Sequence, residues 1–181
     1  MRRIQNSGDY KRSWNEFKHG FGDASGEYWL GNEYLHYITN SGCYKLRVDL
    51  EDWNGNTRYA EYSSFRVTSE ADNYRLLLGS YSGDASASQA NDASAGFLYQ
   101  NNSFFTTYDR DNDARASNPS CIADHAGFGG FWYKNCAKVS ATSDGCGSSS
   151  CSRKGKRIRW NAWRGSSYSM KKIKMMFRPV S

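Results

Sequence analysis

The chain has 181 residues, 24 Lys+Arg against 18 Asp+Glu, and 15% aromatic residues, a length for one domain or two small ones. Aromatic content this high excludes wholesale disorder, and two prolines beside 17 glycines exclude collagen and proline-rich linkers. No run approaches the ~20 apolar residues of a membrane span. The opening MRRIQNSGDYKRSW has no apolar stretch of the signal-peptide kind, so the chain is expected to be cytosolic or to have been read without its secretory leader.

Tyr10, Trp14, Phe17 and Phe21 fall at i, i+4, i+7 and i+11, one face of a helix, with Ser7 or Asp9 as cap and Gly20 or Gly22 as stop. Residues 32–39 (NEYLHYIT) read as a second short helix. Leu46, Val48 and Leu50 alternate with Lys45, Arg47 and Asp49, which predicts a half-buried strand. Asn54-Gly55 is a hairpin signal, with Thr57 to Val67 as the returning strand and residues 74–79 (YRLLLG) as another. Residues 80–103 read as a long polar loop, and 106–157 as loop throughout. The end, YSMKKIKMMFRP, resumes strand-like alternation. A long irregular region in a compact domain carries function or needs staples.

The staples are suggested by Cys121, Cys136, Cys146 and Cys151, four of the five cysteines, clustered in polar, glycine-rich sequence. Their simplest pairing is Cys121–Cys136 and Cys146–Cys151, which leaves Cys43 free or bound to another chain. Such density points to an oxidising compartment. A zinc site built from these cysteines and His125 is the rival, although only Cys146 and Cys151 approach the spacing of a zinc knuckle. Charge is divided as well. Residues 1–144 hold all 18 acids against 14 Lys+Arg, a balance of −4, whereas 145–181 hold 10 Lys+Arg and no acid. The densest run, Arg153, Lys154, Lys156, Arg157 and Arg159, would attract a polyanion.

Asp109, Asp111 and Asp113 alternate within TTYDRDNDARASN (106–118). Closely spaced carboxylates repel one another unless a cation sits among them, and hard oxygen ligands in a flexible loop suit calcium. An EF-hand is excluded, because Ala114 and Ser120 stand where Gly and Glu are required. A solvated acidic turn is the alternative. His19, His36 and His125 belong to no catalytic motif, and G-x-S-x-G, H-E-x-x-H and the P-loop are all missing, so an enzyme is not expected.

Five segments in order, GFGDASGEYWLGNEYLHYIT (20–39), YKLRVDLEDWNGNTRYAEYSSFRV (44–67), YRLLLGSYSGDA (74–85), FFTTYDRDND (104–113) and YSMKKIKMMFRP (168–179), resemble the fibrinogen-like C-terminal domain. That family includes ficolins, tachylectins, angiopoietins, tenascins and the fibrinogen chains. The resemblance runs from about residue 2 to residue 179. It implies an α+β fold with short N-terminal helices, a mixed central sheet and a loop-rich lobe for calcium and ligand. Residues 1–181 would form a single such domain, without the family's usual N-terminal hairpin. It also implies one Ca²⁺, held by the carboxylates of Asp111 and Asp113 and the carbonyls of Arg115 and Ser117, with Asp109 supporting the loop.

Cys121–Cys136 resembles the family's pocket disulfide, and Phe131, Trp132 and Tyr133 its aromatic run. In lectin members the peptide corresponding to Asn135–Cys136 is cis and turns backbone N–H groups toward an acetyl oxygen. The implied ligand residues are His125, Trp132, Tyr133, Asn135, Cys136 and Lys154. The chain departs from the pattern at Ala137, where His is usual, at Lys154, where an aromatic is usual, and near Ser166. KVSATSDGCGSSSC replaces the usual stretch after the second cysteine and brings in Cys146 and Cys151. A basic rim of this kind would favour sialic acid, a sulfated sugar or another anion. The function expected is that of a secreted, calcium-containing recognition module binding acetylated or anionic glycans on cells or microbes, as ficolin-like lectins do in innate immunity. The alternative is a receptor- or matrix-binding module that meets heparin through its basic face. Nucleic acid ranks behind both, since no stacking motif accompanies residues 153–178. Cys43 offers a route to a homo-oligomer.

Overall fold

The computed structural model of the chain describes residues 1–4, 9–86, 96–116, 120–124 and 129–180. Arg2–Arg3 (β1) opens the chain, and Arg3 is fully buried. Its guanidinium stacks 4.1 Å from the Tyr10 ring centre, pairs with Glu27 at 3.3 Å and donates to the carbonyls of Ser143 and Asp144. A buried guanidinium is tolerable only when so many partners replace water.

The first helix is shorter than its aromatic spacing predicts. It spans Trp14–His19 (α1), because Ser13 and Glu16 form a reciprocal capping box. Asp9 lies outside it, and Ser7 lies outside the described residues. Tyr10 and Phe21 reach the same core from flanking segments, with ring centres 5.3 Å apart. Gly20 ends the helix at φ 89°, and a Cβ there would stand 2.6 Å from the Leu30 carbonyl oxygen. Phe21–Gly22 (β2) and Tyr28–Trp29 (β3) follow, then the second helix, Asn32–Asn40 (α2).

Tyr44–Glu51 (β4) buries Leu46, Val48 and Leu50 and turns Arg47 outward, as the alternation predicts. The hairpin at Asn54-Gly55 is organised by buried Asp52, whose carboxylate accepts from the Asn54 and Asn56 backbone and the Asn56 side chain. The return is two strands rather than one. Thr57–Tyr62 (β5) pairs with β4, and the chain then breaks at exposed Ser63 and Ser64. Phe65–Val67 (β6) turns away to pair with Leu76–Leu78 (β7), which buries Phe65 and Val67. The polar loop after residue 80 contains Tyr81–Gly83 (β8) and a 3₁₀ turn, Phe97–Gln100; residues 87–95 lie outside the described residues.

Residues 105–164 are more regular than the sequence suggests. Phe105–Thr106 (β9) pairs with Phe131–Trp132 (β10), and Val139–Ser140 (β11) with Arg159–Trp160 (β12). Cys121–Asp124 (α3) and Asn161–Arg164 (α4) are single turns. Ladders of two residues are too short to leave a readable alternation. They are held from outside: fully buried Gln100 donates to the Trp132 carbonyl and accepts from the Val139 N–H.

Lys172–Pro179 (β13) completes a seven-stranded sheet in the order β2-β3-β1-β13-β4-β5-β8. Every pairing among the described residues is antiparallel, a correction to the mixed sheet expected. Each neighbour is reached by a hairpin or by a return that reverses direction, so no parallel crossover arises. The core between sheet and loop lobe is aromatic. Phe105 lies 5.2 Å from both Phe17 and Trp132, and 5.7 Å from Trp29. Such pairs add to the stabilisation from area burial alone.

Candidate functional site

The acidic loop leaves β9 and at once folds on itself, with Thr107 and Arg110 exchanging backbone hydrogen bonds of 3.0 and 3.2 Å. The three aspartates then diverge. Asp109, though exposed, reaches back to α1, accepting from the Trp14 N–H at 2.9 Å and the Thr107 hydroxyl at 2.7 Å. It is thus an anion at the start of α1, where free N–H groups favour one. Arg110 covers the Trp14 ring at 4.0 Å and donates to Asn73.

Asp111 is exposed and accepts from the Asp113 N–H at 3.2 Å. Asp113 stitches the loop to the neighbouring disulfide. One oxygen accepts from the Arg115 N–H at 2.8 Å and the other from the Cys121 N–H at 2.7 Å. Among the described residues no lysine or arginine pairs with Asp111 or Asp113. Two hard carboxylates on one turn with no cationic side chain opposite them fit calcium chemistry. No three His, Cys, Asp or Glu side chains converge among the described residues, so a cation here would have two carboxylates as side-chain ligands and would need backbone carbonyls or water besides. Arg115 is tied to the same turn through its N–H on Asp113, and Ser117 lies outside the described residues.

Cys121 and Cys136 are bonded, as are Cys146 and Cys151, and Cys43 is free and exposed. The zinc alternative falls, since a disulfide sulfur is not a thiolate ligand. Around Cys121–Cys136 the expected ligand residues separate into two groups. Trp132 and Tyr133 are fully buried. The Trp132 indole donates to the Tyr74 carbonyl at 2.7 Å, and the Tyr133 hydroxyl to the Gly129 carbonyl at 2.7 Å. Burial raises the Tyr133 phenol well above its ordinary pKa. Their expected place in a ligand cage is therefore corrected: both rings belong to the core, where the aromatic sequence pattern reads alike for packing and for binding. Asn135 is exposed and Cys136 half-buried, at φ 51°. His125 and the Lys154 side chain lie outside the described residues.

The basic run is not a uniform patch. Arg157 donates to the Cys151 and Ser166 carbonyls, and Arg159 is buried against the Ala137 carbonyl. Burial, then the nearby Arg157, lowers the Arg159 pKa from its ordinary value. A different basic pair stands beside the disulfide. Lys134 and Lys138 each hold their ammonium 5.6 Å from the centre of the Tyr99 ring. Sequence reasoning missed this trio. Lysines on either side of Cys136 were a readable signal; Tyr99, far away in the chain, was not.

This architecture, a sheet with a disulfide-stapled loop lobe, is that of a fibrinogen-like domain. The chain belongs to that family: the model for "Fibrinogen beta and gamma chains, C-terminal globular domain" matches residues 1–180. Among curated relatives, Angiopoietin-related protein 2 of Homo sapiens is 41% identical over 180 residues, covering 99% of this chain and 34% of the relative. Angiopoietin-related protein 7 of Bos taurus is 39% identical over 172 residues, covering 94% and 46%. The chain thus spans a third to a half of the length of these relatives. Among solved structures, the fibrinogen-like globe domain of human ANGPTL2 superposes with a TM-score of 0.86 at 39% identity, covering 98% of this chain and 77% of that one. Lamprey fibrin D-dimer, complexed with the peptide Gly-His-Arg-Pro-amide, does so at 0.84 and 29% identity, covering 98% and 59%.

Proposed function

We propose that the chain is an extracellular recognition module that binds a protein receptor or a matrix polyanion of the heparin kind, with one calcium ion as a structural cofactor. The observation that carries the reading is the burial of Trp132 and Tyr133. With both rings in the core, the described surface beside Cys121–Cys136 offers ammonium groups, an exposed asparagine, backbone and the single ring of Tyr99 rather than an aromatic cage for an acetyl methyl. The relatives point the same way, since those named above are angiopoietin-related proteins and not ficolins. The ficolin-like lectin reading accordingly yields to the receptor and matrix alternative. Two formed disulfides support an oxidising, extracellular setting. No helix among the described residues is long and apolar enough to cross a membrane.

The test is a pair of titrations on calcium-loaded protein. Retention on immobilised heparin that weakens as salt rises, with no heat from N-acetylglucosamine, is the expected result. Saturable heat from the neutral sugar would restore the lectin reading.

A further inference from the structure

We infer that Lys134, Lys138 and Tyr99 form the contact site for a sulfated glycan chain, an inference that rests on the matrix-binding reading and assigns it a place. The two lysines flank the second cysteine of the stapled loop, and their backbones are fixed. Lys134 donates to the Cys136 carbonyl at 2.9 Å and accepts from the Ala114 N–H at 3.1 Å. Lys138 accepts from the Asn161 N–H at 3.0 Å. Tyr99 is fixed from the other side. Its hydroxyl donates to the Asn135 carbonyl at 3.1 Å, and its neighbour Gln100 is locked into the β10 and β11 backbone.

The consequence is two ammonium groups gathered on one ring. Each lies 5.6 Å from the ring centre, so they stand no further apart than twice that distance. This is comparable with the ~8 Å screening length at physiological salt, so their mutual repulsion persists. Among the described residues neither lysine pairs with a carboxylate. Lys18 pairs with Glu70, and Lys171 and Lys172 with Glu51, whereas Lys134 and Lys138 are unpaired lysines that share one aromatic ring. The uncompensated pair is free to take an anion from outside. A sulfated glycan supplies charges that stay ionised at every physiological pH, along a chain whose sugar faces can lie on an exposed ring edge. Lys134 and Lys138 are the contacts, and Tyr99 is a positioning residue.

The test measures binding of a heparin-derived octasaccharide by surface plasmon resonance over a salt series. The variants are K134Q/K138Q and, as a control with the same change of charge, K171Q/K172Q. A melting curve for each confirms folding. We expect K134Q/K138Q to bind about tenfold more weakly, with a salt slope shallower by about two. K171Q/K172Q keeps most of its affinity. Tyr99→Phe, which keeps the ring, binds like the parent, whereas Tyr99→Leu weakens. Equal losses in the two lysine doubles would mean diffuse attraction by net charge and would overturn the site. So would a parent-like K134Q/K138Q, with the matrix reading left standing. Failure of the parent protein to bind heparin would overturn both, and binding to poly-glutamate without heparin would assign the trio to an acidic protein instead.

Discussion

Asp109 and Asp113 stand four residues apart on one loop and act on different parts of the molecule. Asp109 serves α1; Asp113 joins the loop to Cys121. Asp109→Ala is expected to lose about 1 kcal/mol of stability, the net worth of its part-buried hydrogen bonds, and to keep calcium binding. Asp113→Ala is expected to lose both, read by calorimetric titration with Ca²⁺. Calcium itself should raise the melting temperature of the parent, since a ligand held only by the folded state stabilises it; no shift at millimolar calcium would remove the cofactor from the proposal. Asp144 gives a test by pH. One of its oxygens is buried without a hydrogen-bond partner among the described residues, and burial raises its pKa despite attraction from Lys156, Arg3 and Lys11. A raised carboxyl pKa means that the charged form is disfavoured by folding, a penalty present at neutral pH and relieved as pH falls through the folded value. Asp144→Asn should therefore be more stable than the parent at pH 7, with the gap closing in acid on denaturant curves. A variant equally destabilised at both pH values would refute this.

At the scale of elements, α1 is the instructive case. Six residues are too few for a helix to hold itself, so its ends and its packing decide. Ser13→Ala should cost about 1 kcal/mol. Gly20→Ala should cost more, because φ 89° and the Leu30 carbonyl both exclude a side chain. Melting curves that rank the two in the opposite order would contradict this account. The aromatic face of α1 was legible in the sequence, but its start was misplaced although Ser13-x-x-Glu16 was in plain view, because aromatic periodicity extends beyond the helix. β4 and the Asn54-Gly55 turn were legible for the opposite reason: long alternation and a turn dipeptide are local signals. The break at Ser63 and Ser64 was not, since only the pairing of β6 with β7 defines it. At the candidate site, the loop carboxylates and both disulfides could be read from residue type and spacing. The burial of Trp132 could not, because it depends on Phe97, Phe105 and Tyr74 meeting it from distant segments.

Over the whole molecule, charge is managed unevenly. On the sheet much of it is paired: Arg47 bonds to Asp49 and Glu61, Arg58 to Asp84, and Lys171 and Lys172 to Glu51, while Lys45 and Lys174 make no ion pair among the described residues. Exposed pairs of this sort add little stability, yet they reduce the field above the sheet. In the loop lobe Lys134 and Lys138 have no carboxylate partner among the described residues, which is why the proposed contact is placed there.

The place of β13 in the sheet has a biosynthetic consequence. β13, the last strand of this domain in chain order, lies in the interior of the sheet, bonded to β1 on one side and to β4 on the other. A nascent chain that stops short of Lys172 holds two half-sheets with nothing between them, each showing an unpaired edge and the apolar face that Ile173 and Met175 cover. The domain therefore closes late, after its disulfide partners are already in the same compartment, and a protease that removed the final ten residues would divide the molecule rather than trim it.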